Sequence, residues 1–207
     1  MPDLLFDEAE HAYAIDGVRL PSVTQVLNAE KIVDYSAVPQ FMLDYKAEIG
    51  TEAHRAAELW DRGDLDENSV DERVMPYLEA WWKFRDDSGF VIEQNEQRLW
   101  HPEPIRYHPH LAYAGTVDRI GLLNGKRVVL EIKTTASLLP GTAIQCAAYC
   151  EAFNHGRSRS DQASGRVAVW LRGDGSYQLK TFEDQRGDFH VFTSALVTFD
   201  WKRRNAS

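Results

Sequence analysis

The chain has 207 residues, 43% hydrophobic and 27% charged, with a formal net charge of −9. This is the composition of an ordinary globular chain, long enough to bury one sizeable core. It excludes a protein that holds nucleic acid mainly by bulk positive charge, and no apolar run approaches the roughly 20 residues of a membrane span. The acidic start MPDLLFDEAE carries no signal-peptide pattern, so a cytoplasmic location is the default expectation.

In chain order, Phe6 to Leu20 reads as a small hairpin turning at Asp16-Gly17. Ser22 then caps a short helix, SVTQVLN. A helical region follows from about Ser36 to Glu48 and is expected to break at Gly50-Thr51. The next segment, TEAHRAAELWDRG, gives a second helix that ends at Gly63. DLDENS is a polar loop. Val70 to about Asp87 is a third helix, with Pro76 expected to kink it. Phe90 to Trp100 is a strand, followed by a loop rich in Pro and His.

Two strands, about Tyr113–Leu122 and Lys126–Thr135, meet at Asn124-Gly125, a strong short hairpin signal. Thr142 caps a helix running to about Asn154. Val167–Arg172 and Tyr177–Phe182 form another hairpin, and a last helix covers Arg186 to about Lys202. Cys146 and Cys150 lie four apart on one helix, neither a disulfide framework nor a zinc set, and read as small buried apolar residues. The order predicts an α/β fold: a mixed central sheet flanked by helices, in one domain over 1–207. Its first part, 1–88, is mainly helical, and 89–207 form the core.

The chemistry concentrates in the central hairpin. A two-residue turn sets Leu123 opposite Lys126, so Asp118 falls opposite Glu131. Directly opposed residues share a face with Cβ atoms roughly 4.5–5.5 Å apart. Lys133, two positions beyond Glu131, points to that same face. The flanks Val117, Ile120, Leu122, Val128, Val129, Leu130 and Ile132 are apolar on both faces, as in a doubly covered sheet. Opposed carboxylates there are destabilising unless they are paired or share a cation, and hard oxygen ligands suit Mg²⁺ or Mn²⁺. The bland reading of the same residues is a surface hairpin with one ion pair.

Through these and further motifs the chain resembles the PD-(D/E)XK nuclease superfamily, most closely its RecB-type exonuclease branch. GTEAH, ending at His54, is similar to a helical G-x-x-x-H motif. IEQNEQRLW with Glu96 resembles an acidic strand. GTVD supplies Asp118, and EIK supplies Glu131 and Lys133. QCAAY resembles a Q-x-x-x-Y helix carrying Gln145 and Tyr149. LPSVTQVL resembles phage-type and mitochondrial members. Val117 stands where the superfamily name has Pro, as the G-x-x-D form of the branch allows.

The resemblance implies a restriction-endonuclease-like core with one or two Mg²⁺ or Mn²⁺ ions. His54, Asp118, Glu131 and the Ile132 carbonyl are the implied ligands. Lys133 orients or deprotonates the attacking water. Glu96 is a candidate for touching a second ion or orienting a water, and Gln145, Tyr149 and Gly115 for bordering the site or contacting DNA. With two cysteines, no iron–sulfur cluster is expected.

Each residue also has a plain structural reading. His54 and Glu58 form an i, i+4 pair, Glu96 is a solvated strand residue, and Gln145 and Tyr149 cap and pack a helix. Trp81, Trp82 and Phe84 read first as core and second as a stacking platform for a single strand. Two short basic clusters, Arg98/Arg106/His108/His110 and Lys202-Arg203-Arg204, read first as solvated surface.

The implied activity is an exonuclease on DNA ends in recombination, repair or phage DNA processing, with DNA and a recombination or single-strand-annealing protein as partners. The alternatives are a structure- or site-specific endonuclease, a weakly catalytic DNA-binding subunit of a recombination complex, and a metallo-hydrolase of small phosphates.

Overall fold

The computed structural model describes residues 3–34, 36, 38–105, 108 and 111–206. Its elements are β1 (Leu4–Asp7), β2 (Ala12–Ile15), β3 (Val18–Leu20), α1 (Val23–Ala29), α2 (Gln40–Arg62), α3 (Met75–Ser88), β4 (Val91–His101), β5 (Tyr113–Leu123), β6 (Lys126–Lys133), α4 (Gly141–Asn154), β7 (Gly165–Leu171), β8 (Tyr177–Phe182) and α5 (Gln185–Asn205).

The main sheet runs β4-β5-β6-β7-β8. Every pairing is antiparallel except β6–β7, whose parallel arrangement requires the crossover that α4 supplies. Adjacent strand residues face opposite layers. Val129 packs with Leu27, Phe153, Phe192 and Leu196, under α1, α4 and α5. Leu130 and Ile132 pack with Ala53, Ala57, Leu78, Trp81 and Phe84, under α2 and α3. The fold is therefore mixed α/β in three layers, with β5 and β6 at the doubly covered centre.

Both expected two-residue turns form. Asn124 and Gly125 have φ of 50° and 74°, and Asp16 and Gly17 of 49° and 78°. This is the left-handed pair that a type I′ hairpin needs. The first hairpin gains a third strand, because Asp7 Oδ1 accepts the N–H groups of Ala9 and Glu10 and closes an extra turn between β1 and β2. Ser22 caps α1 in a capping box with Gln25.

Three helix expectations are corrected. α2 is continuous over Gln40–Arg62, with no break at Gly50-Thr51. Gly50 costs about 1 kcal/mol of helix propensity, yet a Cβ there would lie 3.0 Å from Thr134 Oγ1. The glycine is used for close approach to the end of β6, and burial of Ile49, Ala53, Ala56 and Ala57 holds the helix through it. Pro76 does not kink α3; the helix starts at Met75, so the ring sits in the first turn, where its missing N–H costs nothing. Thr142 is buried inside the first turn of α4, whose N-cap is Pro140. The DLDENS loop contains a short 3₁₀ turn at Glu67–Ser69. Of the helical region expected from about Ser36, residue 37 lies outside the described residues, and the helix itself starts at Gln40.

Candidate metal centre

β5 and β6 part at the acidic pair. Their ladder runs from Leu123↔Lys126 to Arg119↔Leu130. The next step is Asp118 against Glu131, and there a side chain replaces the backbone partner: the Ile132 N–H donates to Asp118 Oδ2 at 2.6 Å. Asp118 and Glu131 retain 7% and 2% exposure. Two carboxylates are thus sunk in the centre of the sheet, where unpaired charge is expensive.

α2 brings His54 to this gap. Its Nδ1 lies 3.3 Å from Asp118 Oδ1. Glu58, the alternative helical partner, is engaged by Arg62 instead. Gly50 is one turn before His54, so the tight contact of Gly50 with Thr134 sets how deeply the histidine reaches.

Glu96 enters from β4. The ladder pairs Asn95↔Arg119 and Gln97↔Val117, leaving Glu96 opposite Asp118. Its φ of 47° is left-handed and strained for a residue with a Cβ. A register shift between Ile92 and Gln94 precedes it, and such irregularities re-aim side chains.

His54, Glu96 and Asp118 each offer one ligand atom, all within 4.8 Å of one another. Ligands about 2.0–2.2 Å from one ion are at most about 4.4 Å apart, so a small closure of this group suffices. Glu131 stands beside it. Its Oε2 accepts from Lys133 Nζ at 3.0 Å and from Gln145 Nε2 at 3.1 Å. Its Oε1 is buried with no hydrogen-bond partner among the described residues. An orphaned carboxylate oxygen beside an imidazole and two further carboxylates suits a hard divalent cation, with the nitrogen favouring Mn²⁺ over Mg²⁺.

The electrostatics agree. Burial, then the Asp118 charge, push Glu131 up to about 7. The same two causes push Glu96 up to about 8. Burial alone would also raise Asp118, but the His54 charge and hydrogen bond, Lys133 and the Ile132 N–H outweigh it and hold it at about 2. Burial would lower His54 and Lys133, but the surrounding carboxylates raise both. Without a cation the centre carries more carboxylates than it can ionise.

Gln145 and Tyr149 face this centre from α4. Gln145 Nε2 also lies 3.3 Å from the Tyr149 hydroxyl. With 9% and 3% exposure they brace Glu131. The space beside Gly115 is filled by Tyr149: a Cβ there would lie 2.5 Å from Tyr149 Cε1. The centre opens on a cleft of about 770 Å³ bounded by Lys46, Gly50, His54, Glu96, Ile132 and Lys133.

Sequence reasoning missed the layer behind Glu96. Arg119 is fully buried, and its Nη1 reaches Glu96 Oε1 at 3.2 Å. Its Nε donates to Asp61 Oδ2 at 2.9 Å. The signal was a cation in an apolar strand, which needs a buried anion somewhere.

Other expectations resolve simply. Trp81 and Phe84 are core, and Trp82 leans on Trp60. Cys146 and Cys150 are buried and free. Arg98 lies over the Phe6 ring and 3.5 Å from Glu8, whereas Arg106 and His110 fall outside the described residues. Lys202 pairs with Glu30, and Arg203 and Arg204 with Asp200. Among the described residues, no helix is long and apolar enough to cross a membrane.

No family model and no curated protein matches the chain. Solved structures do. SSO0001 is similar with a TM-score of 0.45 and 14% identity over 90% of this chain and 79% of that one. An alkaline exonuclease, LHK-Exo from Laribacter hongkongensis, is similar with a TM-score of 0.33 and 14% identity over 90% of this chain and 93% of that one.

Proposed function

We propose that this chain is a divalent-metal-dependent deoxyribonuclease that hydrolyses DNA phosphodiester bonds, working as an exonuclease from DNA ends. The observation that carries the reading is the buried acidic centre itself. Asp118 lies against His54, Glu131 keeps an unpartnered buried oxygen, and Lys133 is 3.0 Å from Glu131 on the wall of an open cleft. The ordered motifs ending at His54, Asp118, Lys133 and Tyr149 support the same reading.

In this reading His54, Asp118 and Glu96 hold Mg²⁺ or Mn²⁺, and Glu131 and the Ile132 carbonyl complete the set. The cation, when bound, polarises the phosphate and acidifies a water. Lys133 is kept as an ammonium by Glu131 and Asp118, so it donates hydrogen bonds to the water or to a phosphate oxygen and does not take a proton. Glu131, itself held by Gln145, anchors Lys133. A chain of net charge −9 draws its DNA affinity from the centre and from any recombination or single-strand-annealing partner, not from a basic surface.

The test is digestion of end-labelled linear DNA, single-stranded and duplex, beside covalently closed circles with Mg²⁺ or Mn²⁺. Loss of linear DNA with intact circles is expected. Lys133→Met should lower the rate by about 10²–10³ with the fold retained. Cleavage of the circles would replace the exonuclease reading by a structure- or site-specific endonuclease. Binding without any cleavage would leave a DNA-binding subunit.

A further inference from the structure

Behind the candidate ligands lies a charge cluster built on two side chains with no exposed area, Asp61 and Arg119. Asp61 on α2 is fully covered and receives three donors. Trp81 Nε1 reaches its Oδ1 at 3.1 Å, Arg85 contacts the same oxygen, and Arg119 Nε reaches Oδ2 at 2.9 Å. Two guanidinium groups therefore share one carboxylate, leaving one positive charge uncompensated in the core. The Arg119 side chain has no exposed area, and its Nη2 has no hydrogen-bond partner among the described residues. Glu96 faces this charge, with its Oε1 3.2 Å from Arg119 Nη1. The same nitrogen donates to the Asp118 backbone carbonyl at 2.7 Å, and the Trp81 ring lies 5.5 Å from the guanidinium.

Glu96 needs such a hold. Its left-handed φ of 47° persists only where the surroundings over-determine it. Arg119 occupies one carboxylate oxygen from behind, which leaves the other for the cleft. A planar fork locked by Asp61 can do this; a flexible ammonium lacks that fixed donor geometry.

We propose that Arg119, locked by Asp61, is a positioning residue that aims Glu96 at the divalent cation and so sets the affinity of the centre for metal. This rests on the metal-centre reading above and adds to it a residue outside the ligand set. Groups that orient metal ligands typically change affinity by about 10–100-fold when replaced.

The experiment is calorimetric titration of Mn²⁺ into the metal-free full chain, with melting curves for every variant. Arg119→Lys is expected to weaken Mn²⁺ binding by about tenfold. In a Glu96→Ala background the same replacement should cost less than about threefold, because the arm it aims is gone. Arg127→Lys, which alters a remote arginine–glutamate pair with Glu93 on β4, should leave affinity unchanged. A merely structural Arg119 would lower the melting temperature and leave the affinity alone, or weaken binding equally in both backgrounds; either result overturns the proposal.

Should Arg119→Lys fail to fold, Asp61→Asn frees the guanidinium at constant volume. A loss of at least about threefold is then expected, and an unchanged affinity overturns the proposal. A wild type that cuts DNA while Arg119→Lys binds Mn²⁺ normally removes this inference and leaves the nuclease reading. A wild type whose Mn²⁺ affinity follows Arg119 but which cuts no DNA removes the nuclease reading and leaves this inference.

Discussion

Asp118 divides its two oxygens between a backbone amide and an imidazole, and this division predicts how its replacements behave. Asp118→Asn keeps one acceptor for the Ile132 N–H but loses the charge that faces His54. Mn²⁺ affinity should fall at least about a hundredfold. The melting temperature of the metal-free protein should fall, because the ionised Asp118 that His54, Lys133 and the Ile132 N–H hold at about 2 no longer contributes its stability. Gly115→Ala acts through packing. A methyl 2.5 Å from Tyr149 Cε1 must move a packed ring, which costs about 1–3 kcal/mol, read as a lower urea midpoint. It should also loosen the Gln145 bond to Glu131 and weaken metal binding. Asp118, Glu131 and Lys133 were legible in the sequence because charges inside runs of Val, Ile and Leu have few explanations. Glu96 was harder to read. Its direction is set by a register shift that begins at Ile92 and by a strained φ, and both depend on pairing with β5. The partner of Arg119 was out of reach for another reason: Asp61 is 58 residues away on a helix, and the sequence does not state how that helix is turned.

At the scale of elements, α2 is the piece that assembles the centre. It carries His54 toward the ligands and Asp61 behind them, with Gly50 as its point of closest approach to β6. Gly50→Val should raise helix propensity and still damage the site. The added atoms meet Thr134, lift the helix and draw His54 away from Asp118. Spectroscopic titration should show Mn²⁺ binding weakened by about tenfold or more with helicity unchanged by circular dichroism; unchanged affinity would show that the contact is slack. The sequence suggested a break at Gly50 because propensity alone disfavours glycine in a helix. The burial of Ala53, Ala56 and Ala57 that overrides it belongs to tertiary packing. Pro76 misleads similarly, since moving the helix start from Val70 to Met75 changes a kink into a first-turn proline. Both tight turns were readable because Asn-Gly and Asp-Gly meet a local backbone demand.

For the molecule as a whole, the centre couples stability, protons and metal. Glu96 and Glu131 are raised in the folded chain to about 8 and about 7, against 4.5 for a free glutamate. A raised carboxylate contributes stability fully below its unfolded value and loses it as pH climbs through the folded one. The metal-free protein should therefore become less stable between about pH 4.5 and pH 8, as melting curves across that window would show. Saturating Mn²⁺ should cancel the trend and release more than one proton per ion near neutral pH, measurable by calorimetry in buffers of different ionisation enthalpy. Because α2 and α3 pack on the same sheet that carries β5 and β6, unfolding should also occur in one transition. The central claim is met most directly by anomalous diffraction from crystals of the chain soaked in Mn²⁺. The account predicts a peak within about 2.3 Å of ligand atoms from His54, Glu96 and Asp118. Manganese found elsewhere, with this site empty at saturating metal, would contradict it.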